Sequence, residues 1–482
     1  MKTLMLSILL IIQNVFAEQV KWPVPDWEKS INSTKLSTKT CKDFQKFATL
    51  NNKFLTEGLV VVKDGQIQYE YYDEKNNQNT SHALWSVSKT ITGALLGIAV
   101  DEGRLELEDE LFRFIPDPKD RPLYKEIKIK NLFYFDAGFI WDEYYSGDVK
   151  QSKVINSLYG VGHDDVVKFA TSSELISEGP GYKFNYSTGT PFITMGVLKK
   201  VYGSEYSNLP WEKLFNPLGI KSGHFEKDHK GIFLGGSSAF ATPRDMARIG
   251  YLYLHNGEWN GKTILSEDWI SKTKLVSPGY LSEGTVIKDI TTEGVYGGSI
   301  WLNVAAKKGL GRPYPHSPED MLFARGHYGQ MIIVLPSQNM VITRTGRDKE
   351  YNSRVDAFVS KAIACFHDPN YPVGDVIKPT EKTSPSLGDL LTTLKSSLRE
   401  NIIQPAVAKT LCSCHFIGKL DYKTCYERSN IPLSQTLTNI VTDNNTVIAY
   451  PSFLAKHSGF KNNSIAIAEF NSANPKLGCT LK

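Results

Sequence analysis

Residues 89–102 would form a helix that is apolar on nearly every side, with Ile91, Leu95 and Ile98 distributed around it. A helix without a polar face is stable only when other elements surround it. Gly103 is a residue that commonly ends a helix. This segment therefore predicts a layered globular fold with a buried helix at its centre.

Strand patterns occur towards both ends of the main part of the chain. Residues 58–62 have the continuous apolar pattern of a buried strand, and residues 66–71 alternate after a Lys-Asp-Gly turn. Two more strands are predicted at residues 330–335 and 340–344, whereas residues 104–225 are mainly helix and loop. We therefore expect an α+β fold, in which an antiparallel sheet is flanked by helices and carries an inserted all-helical region. Flanking helices are predicted at residues 40–51, 243–254 and 355–362.

The first residues of the chain have the pattern of a signal peptide. Lys2 precedes an apolar stretch over residues 4–16, and Ala17 is a small residue suited to cleavage. The stretch is shorter than the about 20 apolar residues that cross a bilayer. We therefore favour a secreted or periplasmic protein, with no membrane span after signal removal, over one with an N-terminal membrane anchor. The predicted segments are a signal peptide over 1–17, a main domain over 18–374, a linker over 375–386 and a C-terminal module over 387–482.

Charge and cysteine content limit the partners. The chain has 55 basic and 51 acidic residues with no long run of one sign, which argues against a nucleic-acid partner. An even number of cysteines in an exported chain predicts disulfides. The alternative for Cys412 and Cys414, a metal site with His415, is disfavoured because zinc-binding cysteines are usually spaced by two to four residues. The six cysteines are Cys41, Cys365, Cys412, Cys414, Cys425 and Cys479.

Ser86 and Lys89 form an S-x-x-K motif at the start of the predicted buried helix. Residues three positions apart share one face of a helix, so the lysine can contact the serine hydroxyl. Desolvation and the positive end of the helix favour the neutral form of the lysine, which can then accept a proton from the serine. An unassisted serine is a weak nucleophile and needs such a base. The motif recurs at Ser271 and Ser458, but neither of these opens a buried helix.

The sequence around this motif resembles a known family. Residues 85–99 (WSVSKTITGALLGIA) are similar to the nucleophile helix of β-lactamase-like serine hydrolases of the class C group. That group includes penicillin-binding proteins, related esterases and 6-aminohexanoate-dimer hydrolases. The resemblance covers roughly residues 40–366 and continues, in the same order, at 181–188 (GYKFNYST), 217–220 (PLGI) and 326–330 (GHYGQ).

The resemblance implies roles for individual residues. Ser86 would attack a carbonyl and form an acyl-enzyme, with Lys89 and Tyr186 as its proton-transfer partners. The backbone N–H groups of Ser86 and Gln330 would form the oxyanion hole. No cofactor and no metal is implied, and the partner would be a small-molecule or short-peptide ester or amide.

Several positions depart from the family pattern. Thr188 stands where the family has the Asn of Tyr-x-Asn, and His327 and Tyr328 replace the Lys and Thr of Lys-Thr-Gly. The Lys and Thr help to hold a substrate carboxylate in β-lactamases and peptidoglycan carboxypeptidases. A histidine is mostly neutral at pH 7, which weakens the case for penicillins. Residues 135–138 (FDAG) resemble the family's "TSG" loop near the site, and the acidic and aromatic residues 141–144 follow it. The residues expected to contact the substrate are Thr188, His327, Tyr328, Gly329 and Trp141.

The sequence therefore predicts a secreted serine hydrolase that cleaves an ester or amide bond. The alternatives are a β-lactamase or D-Ala-D-Ala peptidase, a linear-oligoamide hydrolase, and a non-catalytic binding protein with the same fold. In this fold the first and last helices of the main domain pack side by side, which makes a Cys41–Cys365 bridge possible. The other four cysteines can pair in three ways. The C-terminal module is expected to be a disulfide-stapled cap or a partner-binding unit.

Overall fold

The computed structural model describes residues 20–30, 36–51, 53–145, 148–290, 294–348, 351–376, 402–428, 438–451 and 465–482. Its largest sheet has eight strands in the order β1-β3-β2-β13-β12-β11-β10-β9. These strands are β1 (Glu28–Lys29), β2 (Thr56–Lys63), β3 (Gln66–Tyr72), β9 (Val295–Tyr296), β10 (Trp301–Leu302), β11 (Leu322–Gly326), β12 (Gln330–Leu335) and β13 (Met340–Gly346). All neighbours are antiparallel except β1 and β3, which pair in parallel.

Smaller sheets and twelve labelled helices complete the described fold. The short strands are β4 (His82–Ala83), β5 (His224–Phe225), β6 (Ala239–Ala241), β7 (Glu258–Trp259) and β8 (Lys262–Thr263). The helices of the main domain are α1 (Lys39–Thr49), α2 (Val87–Asp101), α3 (Ile129–Phe133), α4 (Lys153–Tyr159), α5 (Val166–Thr171), α6 (Gly189–Tyr202), α7 (Pro243–Leu254), α8 (Glu267–Thr273), α9 (Pro278–Leu281) and α10 (Val355–Phe366). Strands at both ends with helices α3 to α6 between them confirm the predicted α+β fold.

The central strand β2 is buried on both faces. Leu59 and Val61 join the core beneath α1 and α10, whereas Val60 and Val62 join the larger core on the opposite face. Successive side chains of a strand point to opposite faces, so a continuous apolar run is what a strand covered on both sides requires. Helices α1 and α10 lie together on one face, and the bridge between Cys41 and Cys365 joins them with a Cα separation of 4.5 Å.

Helix α2 is the buried helix that the sequence predicted. Every residue from Val87 to Ala99 is buried, and the hydroxyl groups within it have partners. The hydroxyl of Thr90 donates to the Ser299 carbonyl, and that of Thr92 donates to the Gly235 carbonyl. Buried polar groups that keep their hydrogen bonds avoid the cost of desolvation. At Gly97 the Trp269 indole packs so closely that a Cβ would lie 2.4 Å from it.

The C-terminal residues have a core and a sheet of their own. Helix α11 (Ile403–Cys412) leads through a π-helical turn (Ser413–Ile417) to α12 (Tyr422–Arg428). The antiparallel sheet contains β14 (Thr438–Thr442), β15 (Thr446–Pro451), β16 (Ala466–Phe470) and β17 (Cys479–Leu481). The remaining bridges are Cys412–Cys479 and Cys414–Cys425, so these cysteines offer no thiolates to a metal.

Glu226 attaches this C-terminal unit to the main domain. Its carboxylate is buried and accepts hydrogen bonds from the Ser413 hydroxyl at 2.6 Å and the Cys479 backbone N–H at 3.1 Å. The ammonium of Lys409 lies 3.0 Å from the same carboxylate. One main-domain side chain thus contacts the first helix, the π-helical turn and the last strand of the unit.

Two predicted segments lie outside the described residues: the signal peptide over residues 1–17, and most of the linker over residues 375–386. Within the described part of the chain, the helices are too short or too polar to cross a membrane.

Candidate active site

Ser86 immediately precedes the first residue of α2 and lines an open cleft of about 450 Å³. The ammonium of Lys89 donates a hydrogen bond of 2.9 Å to its Oγ. The motif holds a second serine, Ser88, but that side chain is fully buried and accepts from the Ala239 backbone N–H. The structure thus brings Ser86 and Lys89 together as the spacing predicts and leaves Ser86 as the accessible serine of the motif.

Lys89 is almost completely buried, with an exposed fraction of 1%. Besides Ser86, its ammonium donates to the Thr188 hydroxyl at 3.0 Å and to the Gly236 carbonyl at 2.9 Å. Burial disfavours the charged form and lowers the pKa of Lys89 to about 8, although the nearby carboxylate of Glu143 raises it in part. A substantial fraction of this lysine is therefore neutral at mildly alkaline pH.

Glu143 extends this contact into a chain of hydrogen bonds. Its carboxylate accepts from the Thr188 hydroxyl at 2.5 Å, from the Thr188 backbone N–H at 2.9 Å and from the Trp141 indole at 2.7 Å. It lies 3.8 Å from the ammonium of Lys89. Thr188 therefore bridges Lys89 and Glu143 beneath the cleft and does not form part of the cleft wall. Trp141 is likewise buried, in contact with Gly189 and Glu143 rather than with the cleft.

The sequence suggests Glu143 only as one candidate for the pocket wall and gives it no part in catalysis, whereas in the structure it lines the cleft and contacts Thr188. It lies in a run of acidic and aromatic residues, 141–144, that is as typical of an ordinary helix start as of a pocket. The only signal was a carboxylate between aromatic residues after the "TSG"-like loop. Its contact with Thr188, 45 positions away, required the fold.

Tyr186 lies on the wall of the same cleft as Ser86. Its ring stacks on Phe135, with centroids 6.0 Å apart, and packs against Trp301 at 5.1 Å. The ammonium of Lys89 lies 4.8 Å from the ring centroid, within the range of a cation–π contact. The three residues of the predicted catalytic set are therefore neighbours.

Gly326 lies between the two backbone groups predicted to form the oxyanion hole. A Cβ at this position would be 3.2 Å from the Ser86 nitrogen, 3.2 Å from the Gln330 Cβ and 2.3 Å from the Leu84 carbonyl oxygen. The approach of β11 to the start of α2 therefore needs a glycine here. Gln330 pairs with Gly326 across the β11–β12 turn, which brings it next to Ser86.

Arg344 orients the peptide that carries the Gln330 N–H. This fully buried guanidinium donates to the Gly329 carbonyl at 2.8 Å and to the Asp348 carboxylate at 2.6 Å. In a trans peptide the carbonyl and the N–H point in opposite directions. The Arg344 bond therefore fixes the direction of the Gln330 N–H, while the Gln330 side chain donates to the Gly346 carbonyl at 2.8 Å.

The turn between β11 and β12 contributes His327 to the cleft but directs Tyr328 elsewhere. His327 stacks on Tyr145 with ring centroids 4.6 Å apart. Tyr328 lines a second, smaller cavity that continues towards the C-terminal unit. Both Tyr328 (φ 63°) and Trp85 (φ 49°), next to Ser86, adopt left-handed backbone conformations. Non-glycine residues in this region are strained, and such strain is commonly found at functional sites.

The cleft also contains groups that the sequence did not single out. Its wall includes several aromatic residues, and the basic side chains of Lys183 and Arg325 lie at the same surface. The guanidinium of Arg325 stacks on Trp301 at 3.6 Å from the ring centroid. Other lining residues are Phe184, Asn185, Tyr280, Thr285, Val286, Ile287 and Asn352.

Several known proteins are similar to this chain in sequence or in fold. The chain is 21% identical to 6-aminohexanoate-dimer hydrolase from Paenarthrobacter ureafaciens, over 52% of this chain and 69% of that protein. It is 26% identical to teichoic acid D-alanine hydrolase from Staphylococcus aureus, over 48% of this chain and 57% of that protein, so it spans little more than half the length of this relative. The solved structure of EstCE1, a hydrolase with promiscuous acyltransferase activity, has the same fold, with a TM-score of 0.54, 14% identity and coverage of 70% of this chain and 99% of that one.

A family model described as Beta-lactamase matches residues 45–358, a span that contains Ser86, Lys89, Tyr186 and the β11–β12 turn. The match confirms the resemblance given by the nucleophile helix and the ordered motifs after it. The chain belongs to the Beta-lactamase family and is a serine hydrolase of that fold.

Proposed function

We propose that this protein is exported and cleaves an ester or amide bond of a small molecule or short peptide through an acyl-enzyme on Ser86. The observation that carries the proposal is the 2.9 Å contact between the hydroxyl of Ser86 and a buried lysine whose pKa is lowered to about 8. A buried lysine next to an accessible hydroxyl is the arrangement that activates a serine without a metal or a histidine.

Acylation starts when neutral Lys89 takes the proton of the Ser86 hydroxyl as Oγ attacks the substrate carbonyl. The oxygen of the tetrahedral intermediate accepts hydrogen bonds from the backbone N–H groups of Ser86 and Gln330. When the intermediate collapses, the bond to the leaving group breaks and the leaving group receives the proton through Lys89 or Tyr186. Water then attacks the acyl-enzyme, with the same groups taking its proton and returning one to Ser86.

Glu143 is a positioning residue in this scheme. Its carboxylate holds the Thr188 hydroxyl, which in turn accepts from the ammonium of Lys89. This arrangement keeps the lysine directed at Ser86 throughout the cycle. The Thr188 hydroxyl, held by Glu143, thus stands where the family motif has an asparagine.

The cleft favours an ester or amide substrate over a penicillin. His327 and Tyr328 replace the Lys and Thr that bind a carboxylate in the family, and the Tyr328 side chain lines the second cavity instead of the cleft. Thr188 is buried beneath Lys89. Relatives named for hydrolysis of a 6-aminohexanoate dimer and of teichoic acid D-alanine support a non-lactam substrate. The alternative, β-lactamase or peptidase activity, would draw on Lys183 and Arg325 as the carboxylate-binding groups.

Export is supported by the signal-like residues 1–17 and by three disulfides, which form and persist outside the reducing cytoplasm. We propose cleavage after Ala17, and a hydrolase domain over residues 18–374 joined through residues 375–386 to the module over 387–482.

Covalent labelling tests the nucleophile and the substrate class together. After incubation with a fluorophosphonate, intact-protein mass spectrometry should show one adduct, and peptide mapping should locate it on Ser86. Short-chain p-nitrophenyl esters should be turned over, whereas a penicillin should leave no lasting adduct and remain unhydrolysed. A penicilloyl group on Ser86 would assign the protein to the lactamase or peptidase branch, and folded protein that reacts with none of these reagents would favour a non-catalytic binding role.

The pH dependence of kcat/KM should follow the neutral fraction of Lys89. Since the base is the deprotonated form and its pKa is about 8, kcat/KM should rise with pH, reach half its maximum near pH 8 and level off about one pH unit higher. Glu143→Gln removes the negative charge that favours the ammonium form, so this limb should move to lower pH. The plateau should fall about tenfold or more because Lys89 is less well positioned. The exposed Glu174→Gln is the matched control, and an unmoved limb in Glu143→Gln would exclude the proposed coupling.

A further inference from the structure

Three side chains of the types that can ligate a metal converge at a place outside the lining of the cleft. His163 and Asp164 lie in the loop between α4 and α5, and His229 lies in a turn after β5. The Asp164 Oδ1 is 3.3 Å from the His163 Nε2 and 2.5 Å from the His229 Nδ1. In the described part of the chain, this is the one group of three or more such side chains whose ligand atoms all lie within 4.8 Å of one another.

The second nitrogen of each ring identifies which atoms face the centre of the cluster. The His163 Nδ1 lies 2.7 Å from the Gly160 carbonyl oxygen, and the His229 Nε2 contacts the Leu481 carbonyl oxygen. A carbonyl oxygen can only accept, so both of these nitrogens carry the ring hydrogen. In neutral rings the His163 Nε2 and the His229 Nδ1 then carry no hydrogen, and their lone pairs face the Asp164 carboxylate.

Three lone pairs directed at one point repel each other unless positive charge lies between them. A divalent cation held between these atoms would supply such charge and be bound by all three of them. Histidine ligands of metals characteristically donate their other ring N–H to a carbonyl or carboxylate, which is the pattern of both rings here.

We propose that His163, Asp164 and His229 bind one zinc ion, or a similar divalent first-row metal, with water in the fourth position. Zinc binds imidazole nitrogen and carboxylate oxygen at about 2.0–2.2 Å, so these atoms reach a common ion after small side-chain adjustments. Two nitrogens and one oxygen also match the ligand preference of zinc over magnesium or calcium.

The surrounding structure fixes the two loops relative to each other. Buried Asp228 accepts from the Val166 backbone N–H at 3.0 Å and from the Ile232 backbone N–H at 2.8 Å. It therefore ties the His229 turn to the start of α5, next to His163 and Asp164. This preorganisation lowers the cost of assembling three ligands from two segments.

The metal also stabilises the contact with the C-terminal unit. Leu481 belongs to β17, and its carbonyl accepts from the same His229 ring that contacts the ion. A metal on Nδ1 keeps the hydrogen on Nε2, so the ring remains a donor to β17. The proposed ion would therefore also hold the ring that joins the main domain to the last strand.

Calorimetry on the full chain tests this proposal. Protein with intact disulfides and no affinity tag, stripped with a chelator, is titrated with zinc chloride at about pH 7.5. One ion per chain should bind, and Asp164→Asn and His229→Gln should each weaken binding at least about tenfold. The matched control is His316→Gln, which removes another surface histidine that is paired with an aspartate. Its Nδ1 lies 2.8 Å from the Asp356 carboxylate, and its loss should leave the zinc affinity unchanged.

Thermal unfolding provides a second readout. Zinc should raise the Tm of the wild type but not that of Asp164→Asn, because a ligand that binds only the folded state stabilises it. The proposal would be overturned if the wild type showed no saturable zinc binding. It would also be overturned if Asp164→Asn and His229→Gln bound zinc as tightly as the wild type does.

Discussion

Replacing Ser86 by alanine is expected to lower kcat/KM for an activated ester by at least about 1,000-fold and to abolish fluorophosphonate labelling. The hydroxyl is the group that Lys89 contacts at 2.9 Å, and it lines the cleft. The folded state should be little affected, because Ser86 makes no side-chain cap of α2. Residual turnover would come from the backbone donors and from substrate binding, which survive loss of the nucleophile.

A second S-x-x-K motif in the same chain offers the matched control. Ser271 is an exposed residue of α8, three positions before Lys274. Ser271→Ala should leave both kcat/KM and fluorophosphonate labelling unchanged. The comparison thus tests whether the S-x-x-K motif is active only at the start of a buried helix. A Ser86→Ala protein that keeps more than about a tenth of the wild-type kcat/KM would mean that another group is the nucleophile.

Replacing Glu226 by alanine is expected to lower the free energy of unfolding by about 3–5 kcal/mol. The substitution leaves the ammonium of Lys409, only 8% exposed, without its carboxylate, and removes the acceptor of Ser413 and Cys479. An uncompensated buried charge costs far more than the intact pair contributes. Urea denaturation followed by far-UV circular dichroism measures the loss, and a separate early transition would show that the C-terminal unit detaches first.

Two further variants test whether the unpaired charge of Lys409 causes the loss of stability. Glu226→Gln combined with Lys409→Met removes both charges and should recover more than half of the loss. Glu108→Ala breaks an exposed ion pair with Lys128, at 2.8 Å, and should cost no more than about 1 kcal/mol. If Glu226→Ala costs no more than Glu108→Ala does, Glu226 is not what attaches the C-terminal unit.

The parts of the fold that depend on local sequence patterns were predictable from the sequence. The all-apolar helix, the β2–β3 hairpin and the late strands β12 and β13 follow from the spacing of apolar residues and from a Lys-Asp-Gly turn. The pairing of Cys41 with Cys365 followed from the resemblance, since it places the first and last helices side by side. Short β1 was missed because two residues carry no periodicity, and its parallel pairing with β3 depends on contacts distant in sequence.

Parts of the site that depend on distant contacts were not predictable in the same way. Ser86 and Lys89 share one helix turn, so their spacing alone brings them together. Glu143 reaches Lys89 only because the loop after the "TSG"-like segment folds beneath the cleft. His229 meets His163 across 66 positions of sequence, and the choice of Cys412–Cys479 over other pairings depends on the C-terminal sheet. Thr188 and Trp141 were expected at the substrate, but their side chains are buried among other protein groups.

The bridge between Cys41 and Cys365 turns the main domain into a covalent ring. Its two cysteines are 324 positions apart, so Ser86, Tyr186 and the β11–β12 turn all lie within the ring. A proteolytic cut in any loop of this ring leaves both fragments linked. The C-terminal unit lies outside the ring and has two bridges of its own. A cut between Cys365 and Cys412 would therefore leave it attached only by non-covalent contacts, among them the buried ones of Glu226.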